Sequence, residues 1–270
     1  MTVYPSDHID SYYSATLNDN KKYPCLHTSI ETDVCVIGAG FAGLATALGL
    51  CERGKNVVLL EAGRVGWGAS GRNGGFVLSG YAAGFSAIAK RAGIDNAAAL
   101  FALTKEAQKL IRKRIQDYNI SCDPVDGGLV ASWYKNDSNI KKRFDFTRNT
   151  LGESIEYISP DEMRDICVTD QYHDGLYFPD NFHMHPLNYA RGIAGVFHDK
   201  GGRVFEQSAA LSITQKNSDY IVHTEKGSVT AKDIVYCGSA YGNNILPRLS
   251  QATLPILTYV MVTEKLPADK

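Results

Sequence analysis

One short stretch decides the fold of this chain: Asp33-Val34-Cys35-Val36-Ile37-Gly38-Ala39-Gly40-Phe41-Ala42-Gly43. The part up to Ile37 is apolar and rich in β-branched residues, which is typical of a buried parallel strand. Three glycines follow at Gly-x-Gly-x-x-Gly spacing and open an alanine- and leucine-rich helix, predicted from Leu44 to Glu52. A second apolar strand, predicted from Asn56 to Leu60, ends at Glu61. A glycine turn between strand and helix, with an acid at the tip of the next strand, predicts a dinucleotide-binding unit.

Each residue of this turn has a predicted physical role. Gly38 allows the tight turn, Gly40 lets the backbone approach a pyrophosphate, and Gly43 lets the helix pack closely on the strand. The helix N-terminus then presents N–H groups and a partial positive charge to the phosphates. Glu61 lies 18 residues beyond Gly43, where its carboxylate can accept hydrogen bonds from ribose hydroxyls and would repel a 2′-phosphate. NADP is therefore disfavoured, and the alternative is a glycine-rich turn in an ordinary strand–helix unit.

A second glycine-rich loop directly after Glu61 indicates whether the cofactor is NAD or FAD. It reads Gly66-Trp67-Gly68-Ala69-Ser70-Gly71-Arg72-Asn73-Gly74-Gly75-Phe76. A domain for NAD usually continues from the acid into a helix, whereas here five glycines keep the chain near the nucleotide. In this loop the sequence resembles the FAD-dependent amine oxidoreductases of the D-amino-acid oxidase superfamily. The resemblance implies FAD as the cofactor, and a glycine-rich surface loop is the alternative.

The resemblance also implies which residues contact FAD. The segment around Ala210 would give backbone hydrogen bonds to adenine, and Gly238 with the following residues, Ser239 to Tyr241, would pass close to the dinucleotide. The full set of predicted cofactor-binding residues is Gly38, Gly40, Phe41, Ala42, Gly43, Glu61, Ala62, Gly68, Ala69, Ser70, Arg72, Asn73, Gly74, Gly75, Ala210 and Gly238. No side chain presents itself as a catalytic base, so the catalytic residues remain unknown.

Two further stretches narrow the expected activity. Ser11-Tyr12-Tyr13-Ser14-Ala15 and His183-Met184-His185-Pro186-Leu187-Asn188 resemble the branch of the superfamily that oxidises gamma-glutamylputrescine. The implied reaction is oxidation of a C–N bond in a small amine by hydride transfer to flavin, with dioxygen as a candidate electron acceptor. Within the superfamily, a glycine-, sarcosine- or D-amino-acid-type oxidase is the alternative. It would need a carboxylate-binding arginine, and Arg72, Arg191 and Arg248 are unranked candidates.

Composition excludes other classes of function. The 270 residues carry a formal net charge of −1, which argues against a nucleic-acid partner held by phosphate contacts. No apolar run reaches the length of a membrane span, and residues 1–22 are too polar for a signal peptide. The six cysteines are dispersed without a Cys-x-x-Cys pair, which favours a reduced, cytoplasmic protein. His183 and His185 allow a two-histidine metal site, but no third ligand cluster accompanies them, so no metal is expected.

The predicted architecture is α/β, an FAD-binding Rossmann-like domain of the D-amino-acid oxidase type interrupted by a mixed α+β substrate-domain segment. We expect an N-terminal arm (1–30), which the sequence alone equally allows to be a disordered tail. The FAD-binding domain is expected over 31–80 and 200–250, and incomplete substrate-domain segments over 81–199 and 251–270. The last of these begins with a strand predicted from Leu254 to Thr263.

The resemblance carries one further expectation, about the end of the chain. Family members continue past the position of Lys270 with more substrate-domain strands and a glycine-rich turn that contacts the isoalloxazine ring. No such turn occurs after Gly242. We therefore expect the chain to lack the C-terminal part of the family, and an inactive truncated member is a third hypothesis beside the two enzyme activities.

Overall fold

The structure is a computed structural model that describes residues 5–135, 137–242 and 245–264. The chain divides into two compact units. Unit 1 comprises Met1–Gly74, Tyr118–Cys122 and His185–Lys270, and unit 2 comprises Gly75–Asp117 and Asp123–Met184. The domain boundaries predicted from the sequence stay a prediction.

Unit 1 is built on a six-stranded sheet of mixed direction. Its order is β7-β2-β1-β10-β9-β8. The strands are β1 (Ser29–Ile37), β2 (Val57–Leu60), β7 (Arg203–Phe205), β8 (Ser212–Lys216), β9 (Asp219–His223) and β10 (Ser228–Tyr236). β1 runs parallel to β2 and β10, and β7 runs parallel to β2, whereas β8 and β9 form an antiparallel excursion beside β10. The α/β class and its parallel central strands are thus confirmed.

The apolar strands of unit 1 are buried as their composition predicts. All four residues of β2 are buried, and so are the last four of β1, with Cys35 and Val36 fully inaccessible. Helices α1 (Tyr12–Ala15), α2 (Phe41–Cys51), α7 (Pro186–Asp199) and α8 (Pro247–Ala252) complete the unit. α2 packs against both β2 and α7. A parallel strand needs such cover because it carries apolar side chains on both faces.

Unit 2 is an antiparallel sheet with four helices. The sheet contains β3 (Phe76–Val77), β4 (Val125–Ala131), β5 (Glu156–Ile158) and β6 (Gly175–His183), and β6 pairs with each of the other three. The helices are α3 (Phe85–Ala92), α4 (Ile94–Asp117), α5 (Ser138–Asn149) and α6 (Pro160–Ile166). The capping box predicted at Ser159 is confirmed, because Ser159 and Glu162 exchange side-chain-to-backbone hydrogen bonds at the start of α6.

Two expectations about the chain ends have clear outcomes. The strand predicted from Leu254 to Thr263 is wrong: this stretch has no regular structure, and Leu254 and Met261 are 81% and 93% exposed. Its β-favouring side chains find no strand partner in the described part of the chain, and a strand is not stable without one. The described part of the N-terminal arm is packed within unit 1, where Tyr23 and Leu26 are buried. No helix among the described residues is long and apolar enough to cross a membrane.

Candidate dinucleotide-binding site

Two of the three motif glycines have no room for a side chain. Gly38 has φ = +102°, and a Cβ there would lie 2.7 Å from the carbonyl oxygen of Cys237. A Cβ at Gly43 would lie 1.8 Å from the carbonyl oxygen of Gly38, so α2 could not pack so closely on the turn. At Gly40 a Cβ would lie 2.9 Å from the hydroxyl of Ser70. The first glycine-rich turn is therefore in direct contact with the second glycine-rich loop.

The start of α2 retains donors for an anion. Phe41 donates its N–H to Oγ of Ser70 at 3.0 Å, and Leu44 makes the first intrahelical bond, to the carbonyl of Gly40. The N–H groups of Ala42 and Gly43 precede that bond and have no carbonyl partner within the helix. A helix N-terminus with such donors stabilises a phosphate.

Glu61 closes the turn from the other side. Its Oε2 accepts the N–H of Ala39 at 2.7 Å, and its Oε1 accepts the N–H of Gly63 at 2.8 Å. Burial raises the pKa of the Glu61 carboxyl, while the N–H groups of Gly63 and Ala39 oppose that shift. Each carboxylate oxygen keeps a second lone pair with which it can accept a ribose hydroxyl.

A pocket of about 360 Å³ in unit 1 brings these elements together. Of the predicted cofactor-binding residues it is lined by Gly38, Gly40, Glu61, Ala62, Gly68, Ala69, Ser70, Ala210 and Gly238. The others do not line it. Phe41, Ala42, Gly43, Arg72, Asn73 and Gly74 belong to the same unit, and Gly75 belongs to unit 2.

Sequence reasoning missed several lining residues. The predictions did not include Pro5, Gly63, Trp67, Gly242 and Ile245. Trp67 stands inside the second glycine-rich loop, so its position was a usable signal, whereas Pro5 is far from any motif. The ring of Trp67 packs edge-on against Tyr241, and its buried indole N–H has no hydrogen-bond partner among the described residues. An unpaired buried donor in a pocket wall fits a site that holds a polar ligand.

The three arginine candidates for a substrate carboxylate differ in what they contact. The guanidinium of Arg72 lies over the Trp67 ring at 4.0 Å from its centroid, and its Nε donates to the Trp67 carbonyl at 2.7 Å. Arg191, 4% exposed, donates to Asp19 and to the carbonyl oxygen of Lys21. Arg248 is exposed on α8. Arg72 and Arg191 thus have structural partners, but Nη2 of Arg72 and Nη1 of Arg191 are buried without a hydrogen-bond partner among the described residues.

His183 and His185, the two histidines considered for a metal site, belong to different units. His183 ends β6 in unit 2, whereas His185 belongs to unit 1, where its Nδ1 accepts the N–H of Asn188 and caps α7. The described residues contain no group of three His, Cys, Asp or Glu side chains placed to hold a metal ion.

Unit 2 contains a larger cavity that is not the dinucleotide site. Its volume is about 1110 Å³, and its aromatic walls include Phe85, Phe101, Phe146 and Phe178. The carboxylate of Glu153 in its wall accepts a hydrogen bond from the hydroxyl of Ser79. Of its lining residues, Phe76 alone belongs to the second glycine-rich loop and none belongs to the Gly38–Gly43 turn, so the smaller pocket of unit 1 is the candidate site.

Comparisons with known proteins give the family. The sequence model of the DAO family, described as FAD dependent oxidoreductase, matches residues 33–270. The chain belongs to this family. Its members bind FAD and are oxidoreductases, so the cofactor and the general class of enzyme are confirmed at the level of the family.

Individual relatives agree with this assignment. Gamma-glutamylputrescine oxidoreductase of Escherichia coli (strain K12) is 38% identical over 266 residues, which is 98% of this chain and 62% of that protein. The probable oxidoreductase OrdL of Haemophilus influenzae is 34% identical over 96% of this chain and 62% of its own length. The crystal structure of glycine oxidase from Bacillus cereus superposes with a TM-score of 0.66 at 21% identity, over 80% of this chain and 58% of that one. The chain thus spans 62% of the length of both curated relatives, and the glycine oxidase shows a shared fold.

Proposed function

We propose that this chain binds FAD in the unit 1 pocket and serves the oxidation of the C–N bond of a small amine. The observation that carries the proposal is the convergence of three elements on one pocket. These are the first glycine turn, the second glycine-rich loop and the carboxylate of Glu61. A plain NAD-binding unit requires only the first and the third.

Different residues of the pocket would bind different parts of the cofactor. The N–H groups at the start of α2 would hold the pyrophosphate, and Glu61 would hold a ribose through its remaining lone pairs. The loop of Gly68, Ala69 and Ser70 would approach the cofactor with its backbone, since it carries little side-chain bulk. When bound, FAD supplies the acceptor for the electrons removed from the amine.

Gamma-glutamylputrescine, or a related amine, is our proposed substrate. Support comes from the relative of that name, which is 38% identical over 98% of this chain. Dioxygen is our proposed final electron acceptor. A cytoplasmic location is proposed from the cysteines, all six of which are free thiols.

Two measurements test the proposal. The first is titration of the purified chain with FAD and with NAD by isothermal calorimetry, with the visible absorption spectrum used to detect bound flavin. We expect FAD to bind in preference, and preferential binding of NAD would contradict the assignment.

The second is a substrate panel of gamma-glutamylputrescine, putrescine, glycine and sarcosine, with detection of hydrogen peroxide. Oxidation of the amino acids instead of the amines would favour a glycine- or sarcosine-type oxidase. It would also require a carboxylate-binding group, for which Arg72 and Arg191 are candidates because each has a buried guanidinium nitrogen without a hydrogen-bond partner among the described residues.

A further inference from the structure

The sequence motif Ser11–Ala15 forms a fixed turn on unit 1. Ser14 donates its N–H to Oγ of Ser11 at 3.2 Å, and Ser11 donates its N–H to Oγ of Ser14 at 2.9 Å. This reciprocal capping box defines the first turn of α1 although the helix is only four residues long. The turn thereby fixes the direction of the Tyr12 and Tyr13 side chains.

The rest of unit 1 holds this turn through His185. The ring of Tyr13 packs edge-on against that of His185, with 5.0 Å between centroids. His185 Nδ1 accepts the N–H of Asn188, so the ring proton lies on Nε2 and is donated to Oγ1 of Thr16 at 3.0 Å. Thr16 in turn donates to the carbonyl of Tyr12 at 2.6 Å. The position of the Tyr13 hydroxyl is therefore determined by α7 as well as by the arm.

From the Tyr13 hydroxyl, hydrogen bonds lead to the wall of the cofactor pocket. Tyr13 donates its O–H to the carbonyl of Asn73 at 2.6 Å. The side-chain amide of Asn73 donates to the carbonyls of Ala69 and Ser70 at 3.1 and 2.8 Å. Ser70 accepts the N–H of Phe41 at the start of α2. Ala69 and Ser70 line the pocket, so each step connects the arm to the second glycine-rich loop.

We propose that Tyr13 is a positioning residue for the cofactor: through Asn73 it holds the second glycine-rich loop in the conformation that lines the pocket. The inference rests on the proposed function of that pocket. Glycine-rich segments lose much conformational freedom when they become ordered, and a ligand that must order them binds less tightly. A loop already held by the arm avoids part of that cost.

The test compares two adjacent tyrosines. Tyr13→Phe removes only the hydroxyl that donates to the loop, and Tyr12→Phe is the matched control, since the side chain of Tyr12 is 53% exposed. The dissociation constant for FAD is measured by flavin fluorescence with the full 270-residue chain, and the Tm of the FAD-free proteins is measured in parallel. We expect a rise of about two- to tenfold in the FAD dissociation constant for Tyr13→Phe. For Tyr12→Phe we expect a change below about twofold.

A double-mutant cycle separates positioning from general stability. Asn73→Ala breaks the side-chain link from Asn73 to Ala69 and Ser70, so Tyr13→Phe should weaken FAD binding less in that background. Equal effects of Tyr13→Phe in both backgrounds, or a loss of affinity matched by a loss of Tm, would overturn the positioning role. Unchanged affinity in Tyr13→Phe would overturn it too. Failure of the wild-type chain to bind FAD at all would instead refute the proposed function, and the inference with it.

Discussion

Replacement of Glu61 by glutamine is the most direct test of the pocket. The carboxylate accepts N–H groups with both oxygens, from Ala39 at 2.7 Å and from Gly63 at 2.8 Å. A glutamine of the same shape has one acceptor oxygen and one NH₂ group. One of the two backbone donors must therefore face another donor, while the charge that would attract ribose hydroxyls disappears.

The structure allows the size of this effect to be worked out. For FAD affinity, the variant loses a hydrogen bond to a charged acceptor, which contributes about 1.5–3 kcal/mol, or roughly a 10- to 150-fold rise in the dissociation constant. For stability, one orphaned backbone N–H costs about 1–3 kcal/mol. That cost is partly offset because burial, which raises the pKa of Glu61, penalises the charged form that glutamine replaces. The loss of affinity should thus exceed the loss of stability.

The assay measures both quantities on the same protein. FAD titration by fluorescence gives the dissociation constant, and urea unfolding of the FAD-free protein gives the free energy of unfolding. Glu31→Gln is the matched control, because Glu31 lies exposed on β1 and its replacement makes the same change of charge. An FAD affinity for Glu61→Gln within about twofold of the control would refute the assigned role of this carboxylate.

Three other predictions concern stability. Gly43→Ala should destabilise the chain by about 3 kcal/mol or more because its Cβ would collide with a carbonyl oxygen, whereas Gly195→Ala, with open space around it in α7, should stabilise by about 0.5–1 kcal/mol in urea unfolding. Burial, with three nearby arginines, lowers the pKa of His8 from 6.5 to about 4. Below pH 6.5 the unfolded chain takes up a proton at His8 that the folded chain does not, so the free energy of unfolding falls as the pH drops from 6.5 toward 4. Between pH 7 and 5 this loss should be about 1 kcal/mol, after allowance for the partial exposure of the ring. The His8→Gln variant should not show it. Arg64→Met should cost about 3–5 kcal/mol because it leaves the buried carboxylate of Glu206 without its ion pair, and the double variant with Glu206→Gln should recover part of that loss; no recovery would show that the pair is not coupled.

The part of the fold that local patterns encode was predictable. The strand, turn, helix and second strand from Asp33 to Glu61 are all present, with ends that differ by a few residues. These elements depend on apolar periodicity and on glycine, which act over short distances. The mixed α/β class followed from them.

The errors arise where sequence-distant partners decide the structure. β6 runs through Pro179, which lacks an N–H for the sheet, and continues to His183. The pairing with β4 shifts register between Asp126 and Gly128, opposite that region, and such an irregularity accommodates a proline. Pro5 is a comparable case, because it reaches the pocket only through folding of the arm, where its carbonyl accepts the side-chain amide of Gln207.

The contact between the two glycine-rich segments supports our proposal that they form one site. Ser70 and Gly66 both join them. Gly66 donates its N–H to the carbonyl of Ala39 at 2.9 Å. The hydroxyl of Ser70 accepts the N–H of Phe41 and lies 2.9 Å from where a Cβ at Gly40 would be. This hydroxyl satisfies one of the orphaned donors at the start of α2, and the N–H groups of Ala42 and Gly43 have no carbonyl partner within the helix and could donate to a phosphate. The same contact holds the second loop against the first turn. The second glycine-rich loop after the acid, from which we predict FAD rather than NAD, thus has a physical counterpart: the loop satisfies a donor at the start of α2 and also forms part of the pocket wall.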